Sequence, residues 1–225
     1  MKKLILLSLI MVLCVTLLNA DAVAMLMASK GKLSLSRAAS QIKFHKGELL
    51  MNNDVLRTGA ESFAAYKYVD ASSTVKMFSN SVATITATKE GNKLNKNVAV
   101  SKGSILTNVN KGTGLFRVST PTTVASVKGT EFFTKVEEGG ATQFLVTDGE
   151  VEVRILVTDE TAVVGKGQTA LISALGELHL RASNPDDLSA AEQIELESMR
   201  ETVPKVIRIP VLDENGRVKY IEITY

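Results

Sequence analysis

One stretch of this 225-residue sequence decides the fold class, and it reads Val146-Thr147-Asp148-Gly149-Glu150-Val151-Glu152-Val153-Arg154-Ile155. Asp148-Gly149 is a turn signal. After it, apolar and charged residues alternate strictly from Val151 to Ile155. Alternation with a period of two gives a strand one apolar face and one polar face. The stretch therefore predicts strands separated by a tight turn, with one face directed at a core.

The sequence on both sides repeats this pattern from Leu33 to Leu180. Short apolar runs are separated by turns that contain Gly or Asn, among them Thr58-Gly59, Glu90-Gly91-Asn92, Lys111-Gly112, Glu138-Gly139-Gly140 and Gly165-Lys166-Gly167. Turn signals about every 8–12 residues, without a helical period longer than one turn, are typical of an all-β domain. We therefore predict a mainly antiparallel β-domain over about residues 30–180.

The character of the sequence changes at Ser183, where an extension of residues 183–225 begins. Ser189 and Glu192 have the spacing of a capping box, and Pro204 would end the short helix that we predict over about residues 189–202. A β-hairpin is predicted over residues 206–224. A three-residue loop at Glu214-Asn215-Gly216 places four isoleucines on one face, namely Ile207, Ile209, Ile221 and Ile223.

The first 24 residues have the layout of a secretory signal peptide. Lys2 and Lys3 precede an apolar run over residues 4–18, and small residues follow. The predicted cleavage positions are after Ala20, Ala22 or Ala24. The run is shorter than the about 20 residues of a transmembrane span, so contact with a membrane is expected only if this segment is not cleaved. We expect a periplasmic or secreted protein.

Composition excludes several functional classes. A net charge of +2 and 5% aromatic residues, with no Trp, argue against nucleic-acid binding. His45 and His179 have no metal-ligand spacing, and the nucleophile motif G-x-S-x-G does not occur. We therefore expect a protein that is not an enzyme and that needs no cofactor. The alternative is a cell-wall glycan hydrolase, which would require the fold to bring two carboxylates across a cleft.

Charge is divided unevenly along the chain. Residues 25–135 carry 16 basic and 6 acidic side chains, whereas residues 136–225 carry 8 basic and 17 acidic ones. Either the two halves face each other or solvent, or the basic half binds an anionic partner. For the second interpretation the predicted contacts lie in one polar stretch, which we expect to be an exposed loop running into a strand: Lys89, Lys93, Lys96 and Lys102.

Several motifs follow one another over about residues 30–173. The most specific is Val127-Lys128-Gly129-Thr130-Glu131-Phe132. The others are Asp54-Val55-Leu56-Arg57-Thr58-Gly59-Ala60-Glu61-Ser62, Asn80-Ser81, Phe116-Arg117-Val118-Ser119-Thr120-Pro121, Val146-Thr147-Asp148-Gly149-Glu150-Val151-Glu152-Val153 and Gly165-Lys166-Gly167-Gln168. In this order the motifs resemble the FecR domain family, which is named for a ferric-citrate sensing regulator.

The resemblance implies a coiled, two-sheet or solenoid-like β-domain that serves as an interaction module of the bacterial envelope. The implied partner is an envelope protein or glycan of unknown identity, and a periplasmic relay to a separate membrane regulator is an alternative. Regulators of the family carry a cytoplasmic anti-sigma segment and a transmembrane helix, whereas here we expect only a signal peptide before the domain. The motif residues are expected to hold turns rather than to bind a ligand.

Overall fold

The computed structural model describes residues 22–45, 47–189, 192–193, 206–212 and 218–224. The chain divides into two compact units, the first ending at Ser183 and the second beginning at Asn184. The all-β prediction is confirmed, because strands make up most of the described residues of the first unit. Within the described ranges, no helix is long and apolar enough to cross a membrane.

The first unit contains seventeen strands within its described residues. They are β1 (Ala22–Lys30), β2 (Leu33–Arg37), β3 (Ser40–Ile42), β4 (Leu49–Met51), β5 (Asp54–Thr58), β6 (Phe63–Tyr68), β7 (Ser73–Met77), β8 (Val82–Glu90), β9 (Lys93–Val109), β10 (Phe116–Ser119), β11 (Thr123–Val127), β12 (Glu131–Val136), β13 (Thr142–Asp148), β14 (Glu150–Ile155), β15 (Thr161–Gly165), β16 (Gln168–Ile172) and β17 (Leu178–Ala182).

The strands form two ladders that share the long strand β9. Ladder A has the order β4-β1-β6-β7-β9-β12-β13-β16-β17, and ladder B has the order β3-β2-β5-β8-β9-β10-β11-β14-β15. From β10 onward the chain places two strands in ladder B, the next two in ladder A, and then repeats this. All pairings are antiparallel except that of β9 with β10. The predicted coiled, two-sheet arrangement is confirmed.

Strand β9 changes ladders at Gly103. Before this point the residues that belong to the core cluster have even numbers, such as Val98 and Val100, and after it they have odd numbers, namely Ile105 and Val109. A register shift against β8 and a positive φ of +87° at Gly103 allow this change of facing. A side chain at Gly103 would overlap Ser81, so a glycine is required at this corner.

A single apolar core lies between the two ladders. Its largest fully buried side chains include Tyr66, Tyr68, Phe116, Phe132 and Phe144. The strict alternation that was predicted for β14 is confirmed, since Val151, Val153 and Ile155 are buried and the residues between them are exposed. Burial of this apolar set is the main term that stabilises such a fold.

Strand β1 lies partly before residue 30, where the predicted domain begins. Ala24 and Leu26 are fully buried, and β1 pairs with both β4 and β6. The outward residues Met25 and Met27 are also apolar. The sequence therefore shows no alternation of apolar and polar residues here, so this strand could not be predicted from the pattern.

The second unit contains a short 3-10 turn, Pro185–Asp187, and a hairpin of β18 (Val206–Leu212) and β19 (Val218–Thr224). In the hairpin Ile207 is paired with Ile223 and Ile209 with Ile221, which is the predicted register. The capping box is present, since the Ser189 N–H donates to the Glu192 carboxylate at 2.8 Å and the Glu192 N–H to Ser189 Oγ at 3.4 Å. Most of the predicted helix at 189–202 lies outside the described residues.

A candidate binding groove

An open groove of about 590 Å³ lies on the outer face of ladder B. It crosses four neighbouring strands, β10, β11, β14 and β15. Arg117, Ser126 and Glu152 point into it because each sits between core residues on its strand and therefore faces outward. The groove thus arises from the side of the strands that does not contribute to the core.

Strand pairing places one residue of each strand in a line across the groove. Arg117 is paired with Ser126, Ser126 with Glu152, and Glu152 with Val163. Neighbouring strands lie about 4.8 Å apart, so Arg117 and Glu152 are separated by about 10 Å across Ser126. This is the separation of their backbone positions, and no ion pair joins the two side chains in the described part of the chain.

The groove has a basic side and an acidic side. Lys111, Arg117 and Lys128 line the basic side, while Glu150 and Glu152 project from β14 on the acidic side. All five side chains belong to exposed residues, and none forms an ion pair or hydrogen bond with another side chain of the described ranges. Opposite charges that remain unpaired in one concave surface are available to a ligand.

One end of the groove is closed by a close approach between two loops. Lys111, after β9, crosses directly over Gly129, and a Cβ at Gly129 would lie 2.9 Å from the Lys111 Cα. Gly129 has a φ of +86°, a conformation that other residues adopt at a cost. Next to it, Thr130 Oγ1 donates to the Glu150 carbonyl at 2.8 Å. The most specific sequence motif therefore builds a wall of the groove.

The other motif residues hold turns, as expected. The Asp54 carboxylate is fully buried, accepts two bonds from Arg37 at 2.8 and 2.9 Å, and accepts the Met51 N–H at 2.8 Å. Thr58 Oγ1 accepts the Ser81 N–H at 2.9 Å, and Ser81 Oγ donates to the Ser104 carbonyl at 3.1 Å. These side chains already form hydrogen bonds within the domain and are therefore not available to a ligand.

The four lysines proposed from the sequence do not form an exposed loop, and that part of the prediction is wrong. They belong to the antiparallel pair β8–β9, which reverses at Gly91-Asn92. Lys89 and Lys93 are exposed near the turn, and Lys102 pairs with Glu138 at 3.4 Å. Lys96 is buried, because it takes an inward position on β9. Whether the exposed lysines contact an anionic partner stays a prediction.

Lys96 forms a buried ionic cluster at the edge of the core. Its Nζ lies 2.7 Å from Asp70 Oδ2, donates to the Thr113 carbonyl at 3.0 Å, and stands 6.0 Å from the centroid of the Tyr68 ring. Burial alone would raise the pKa of Asp70. The hydrogen bonds from Lys96 and Ser72 outweigh burial, so the pKa lies below its usual value.

The carboxylates of the groove do not have the geometry of a glycan hydrolase. Glu150 and Glu152 project side by side from one strand, whereas hydrolysis requires two carboxyl groups on opposite sides of the scissile bond. In the part of the chain that the structure describes, no group of His, Cys, Asp and Glu residues could hold a metal ion.

Comparison with known proteins agrees with this architecture, that of an all-β coil with a charged groove. Residues 54–152 match the family described as FecR protein, and this segment includes the charged residues of the basic and the acidic side of the groove. The resemblance seen in the motifs is thereby confirmed, and this segment is a FecR domain. None of the curated proteins matches the chain.

Two crystal structures of a candidate anti-sigma factor from Parabacteroides distasonis ATCC 8503 have a similar fold. They are 16% and 15% identical in sequence, each with a TM-score of 0.51. In both cases the similarity covers 76% of this chain and 84% of the other chain. At this level of identity the similarity concerns the fold alone.

The five charged residues of the groove were not selected from the sequence. Arg117, Lys128, Glu150 and Glu152 occur inside the quoted motifs, but nothing in a linear sequence shows that β10, β11 and β14 are neighbours. The signal that could have found them is the strand alternation, which directs all of them away from the core.

Proposed function

We propose that this chain is a non-enzymatic, exported protein that binds a protein partner in a signalling system of the bacterial envelope. The match of residues 54–152 to the FecR family carries the proposal. Similarity to the fold of a candidate anti-sigma factor supports a regulatory role. The turn-holding role of the motif residues supports binding through a surface rather than through a reactive centre.

Export is proposed from the N-terminal sequence, and strand β1 restricts where the signal peptide is cleaved. Cleavage after Ala24 would remove Val23 and Ala24, which are 5% and 0% exposed and belong to the core. Cleavage after Ala20 would leave β1 complete, and cleavage after Ala22 would remove only its first residue. We therefore expect a mature N-terminus at Asp21 or Val23, which mass spectrometry of the exported protein would determine. A mature chain beginning at Met25 would contradict this.

Partner binding is tested by photo-cross-linking in intact cells. A photoreactive amino acid is placed, one at a time, at outward-facing positions over the whole β-domain, and adducts are identified by mass spectrometry. A reproducible protein adduct at any position supports the proposal. Absence of adducts at every position, with the protein correctly exported, contradicts it.

The signalling and non-enzymatic parts are tested separately. Deletion of the coding sequence should change the transcript levels of a discrete set of envelope genes, and an unchanged transcript profile would contradict a signalling role. The purified protein should release no reducing ends from cell-wall glycan. Release that depends on Glu150 or Glu152 would instead support the hydrolase alternative.

A further inference from the structure

We propose that the groove on ladder B binds a polypeptide segment in the polyproline II conformation that carries an acidic and a basic side chain three residues apart. This inference deepens the proposed function and rests on it, since it names the chemistry of the partner at one site. The acidic side chain would pair with Arg117, and the basic one with Glu152.

The spacing follows from the strand pairing. Arg117 and Glu152 stand in one line across the sheet with Ser126 between them, about 10 Å apart. A polyproline II segment rises about 3.1 Å per residue and has three residues per turn, so residues three apart lie on the same side at a distance of about 9 Å. A segment lying across the strands therefore brings its first and fourth residues to the two charges. Lys128 and Glu150, which adjoin the Val127–Val151 pair of β11 and β14, add a second pair of opposite charges to the groove.

The groove also offers contacts to the backbone of such a segment. The Ser126 hydroxyl lies midway between the two charges and forms no hydrogen bond with any of the described residues. It can donate to a peptide carbonyl or accept a peptide N–H. Val163 is 53% exposed at the far end of the line and provides an apolar contact. The volume of about 590 Å³ is within the range of ligand sites.

Other classes of ligand fit this surface less well. Among the described residues that line the groove there is no aromatic side chain, so it lacks the stacking platform on which sugars and bases are usually held. A polyanion that covers the groove would meet Glu150 and Glu152 as well as the basic residues, and like charges are strongly unfavourable in such an interface. A partner that carries both signs of charge can pair with the basic and with the acidic residues of the groove.

The test uses the exported full-length chain and three fluorescent peptides. The first is Gly-Ser-Asp-Ser-Ser-Lys-Ser-Gly, and the matched peptides replace the charged pair by two Asp or by two Lys. Fluorescence polarisation at low salt should show the mixed peptide binding at least about tenfold more tightly than either matched peptide, because each matched peptide sets one pair of like charges together. Equal binding of all three, or no binding of any, overturns the inference.

Reversing the charge of Glu152 should change which of the three peptides binds most tightly. Glu152→Lys should weaken binding of the mixed peptide about tenfold and make the peptide with two Asp the preferred ligand. Glu160→Lys is the matched control, since it makes the same charge change at an exposed residue outside the groove. A switch in Glu152→Lys with no change in Glu160→Lys supports the site, and it cannot result from unfolding. The same response in both variants shows a long-range charge effect and contradicts it.

The outcome is separable from that of the proposed function. If cross-linking finds a protein partner away from the groove and the mixed peptide does not bind, the proposed function stands and this inference fails. If the mixed peptide binds with the expected switch but cells yield no adduct anywhere, the groove is a peptide site and the proposal of a protein partner in the envelope fails.

Discussion

Lys96 and Arg117 are cations on neighbouring strands, yet they have opposite roles. Lys96 on β9 is paired with Phe116 of β10, and the next pair along the same two strands is Asn97 with Arg117. A shift of one residue along a strand reverses the face on which a side chain lies. Lys96 therefore points inward and is neutralised by Asp70, whereas Arg117 points outward and has no partner among the described side chains.

The comparison separates charges that maintain the fold from charges that can serve a ligand. The Lys96–Asp70 pair is satisfied within the domain, so its loss should appear as loss of stability. The charges of the groove are unsatisfied within the domain, so their loss should appear in binding.

The largest effect on stability is expected for Lys96→Met. Met fills similar apolar space, but it leaves the Asp70 carboxylate and the Thr113 carbonyl without their donor. Breaking a buried pair on one side costs about 3–5 kcal/mol. Because Asp70 remains 29% exposed and regains some hydration, we expect a loss of about 3 kcal/mol in the free energy of unfolding, measured by urea denaturation.

Two comparisons test whether this loss of stability comes from the burial of Lys96 and from the carboxylate left unpaired. Lys89→Gln and Lys93→Gln, at exposed positions of the same pair of strands, should change stability by less than about 0.5 kcal/mol. Adding Asp70→Asn to Lys96→Met should recover part of the loss, since the carboxylate is no longer left unpaired. Equal effects of all three lysine substitutions would show that burial of Lys96 does not matter.

A smaller loss is expected when the end wall of the groove is disturbed by Gly129→Ala. The added methyl meets the Lys111 backbone and must adopt a positive φ, so we expect a loss of about 2 kcal/mol together with loss of peptide binding. Gly112→Ala, next to Lys111 in the opposing loop between β9 and β10, is the control. It has a φ of +80° but nothing within 4 Å, so it should cost only about 1 kcal/mol. Equal losses would mean that the close approach to Lys111 is unimportant.

How much the sequence could predict depends on whether a feature is local. Alternation in β14 and the turn at Asp148-Gly149 predicted strands that the structure confirms, because both signals act over a few residues. The hairpin register of Ile207 with Ile223 was predictable for the same reason, since loop length sets register. The coiled arrangement of two ladders came from the resemblance, not from the residues themselves.

The candidate site was not predictable, because it depends on which distant strands are neighbours. Ser126 and Glu152 are 26 positions apart in sequence but directly paired in the ladder. The prediction that the lysines lie in one exposed loop was wrong for the opposite reason. These residues are close in sequence, but alternation along β9 divides them between the two faces, so that Lys96 is buried and Lys93 is exposed.

The contribution of the Lys96–Asp70 pair should appear in how the stability of Asp70→Asn, relative to the natural chain, depends on pH. The pKa of Asp70 is lowered in the folded chain, so its contribution to stability is present above the unfolded value of about 3.9 and is lost as pH falls through the folded value. The variant should be about 1–2 kcal/mol less stable than the natural chain at neutral pH. The difference should narrow below about pH 4, measured by urea denaturation across pH. A constant difference down to pH 2.5 would contradict the lowered pKa.

The smallest effect on stability is expected in the groove itself. Arg117→Gln and Glu152→Gln remove charges that are exposed and unpaired among the described side chains, so each should change the free energy of unfolding by less than about 0.5 kcal/mol. Each should still weaken the mixed-charge peptide severalfold, since one charge-assisted contact is lost. Because glutamine keeps the polar surface, thermal unfolding and polarisation of the same samples separate the two effects. A loss of more than about 1 kcal/mol in either variant would show that these charges stabilise the fold, and the division between Lys96 and Arg117 would no longer hold.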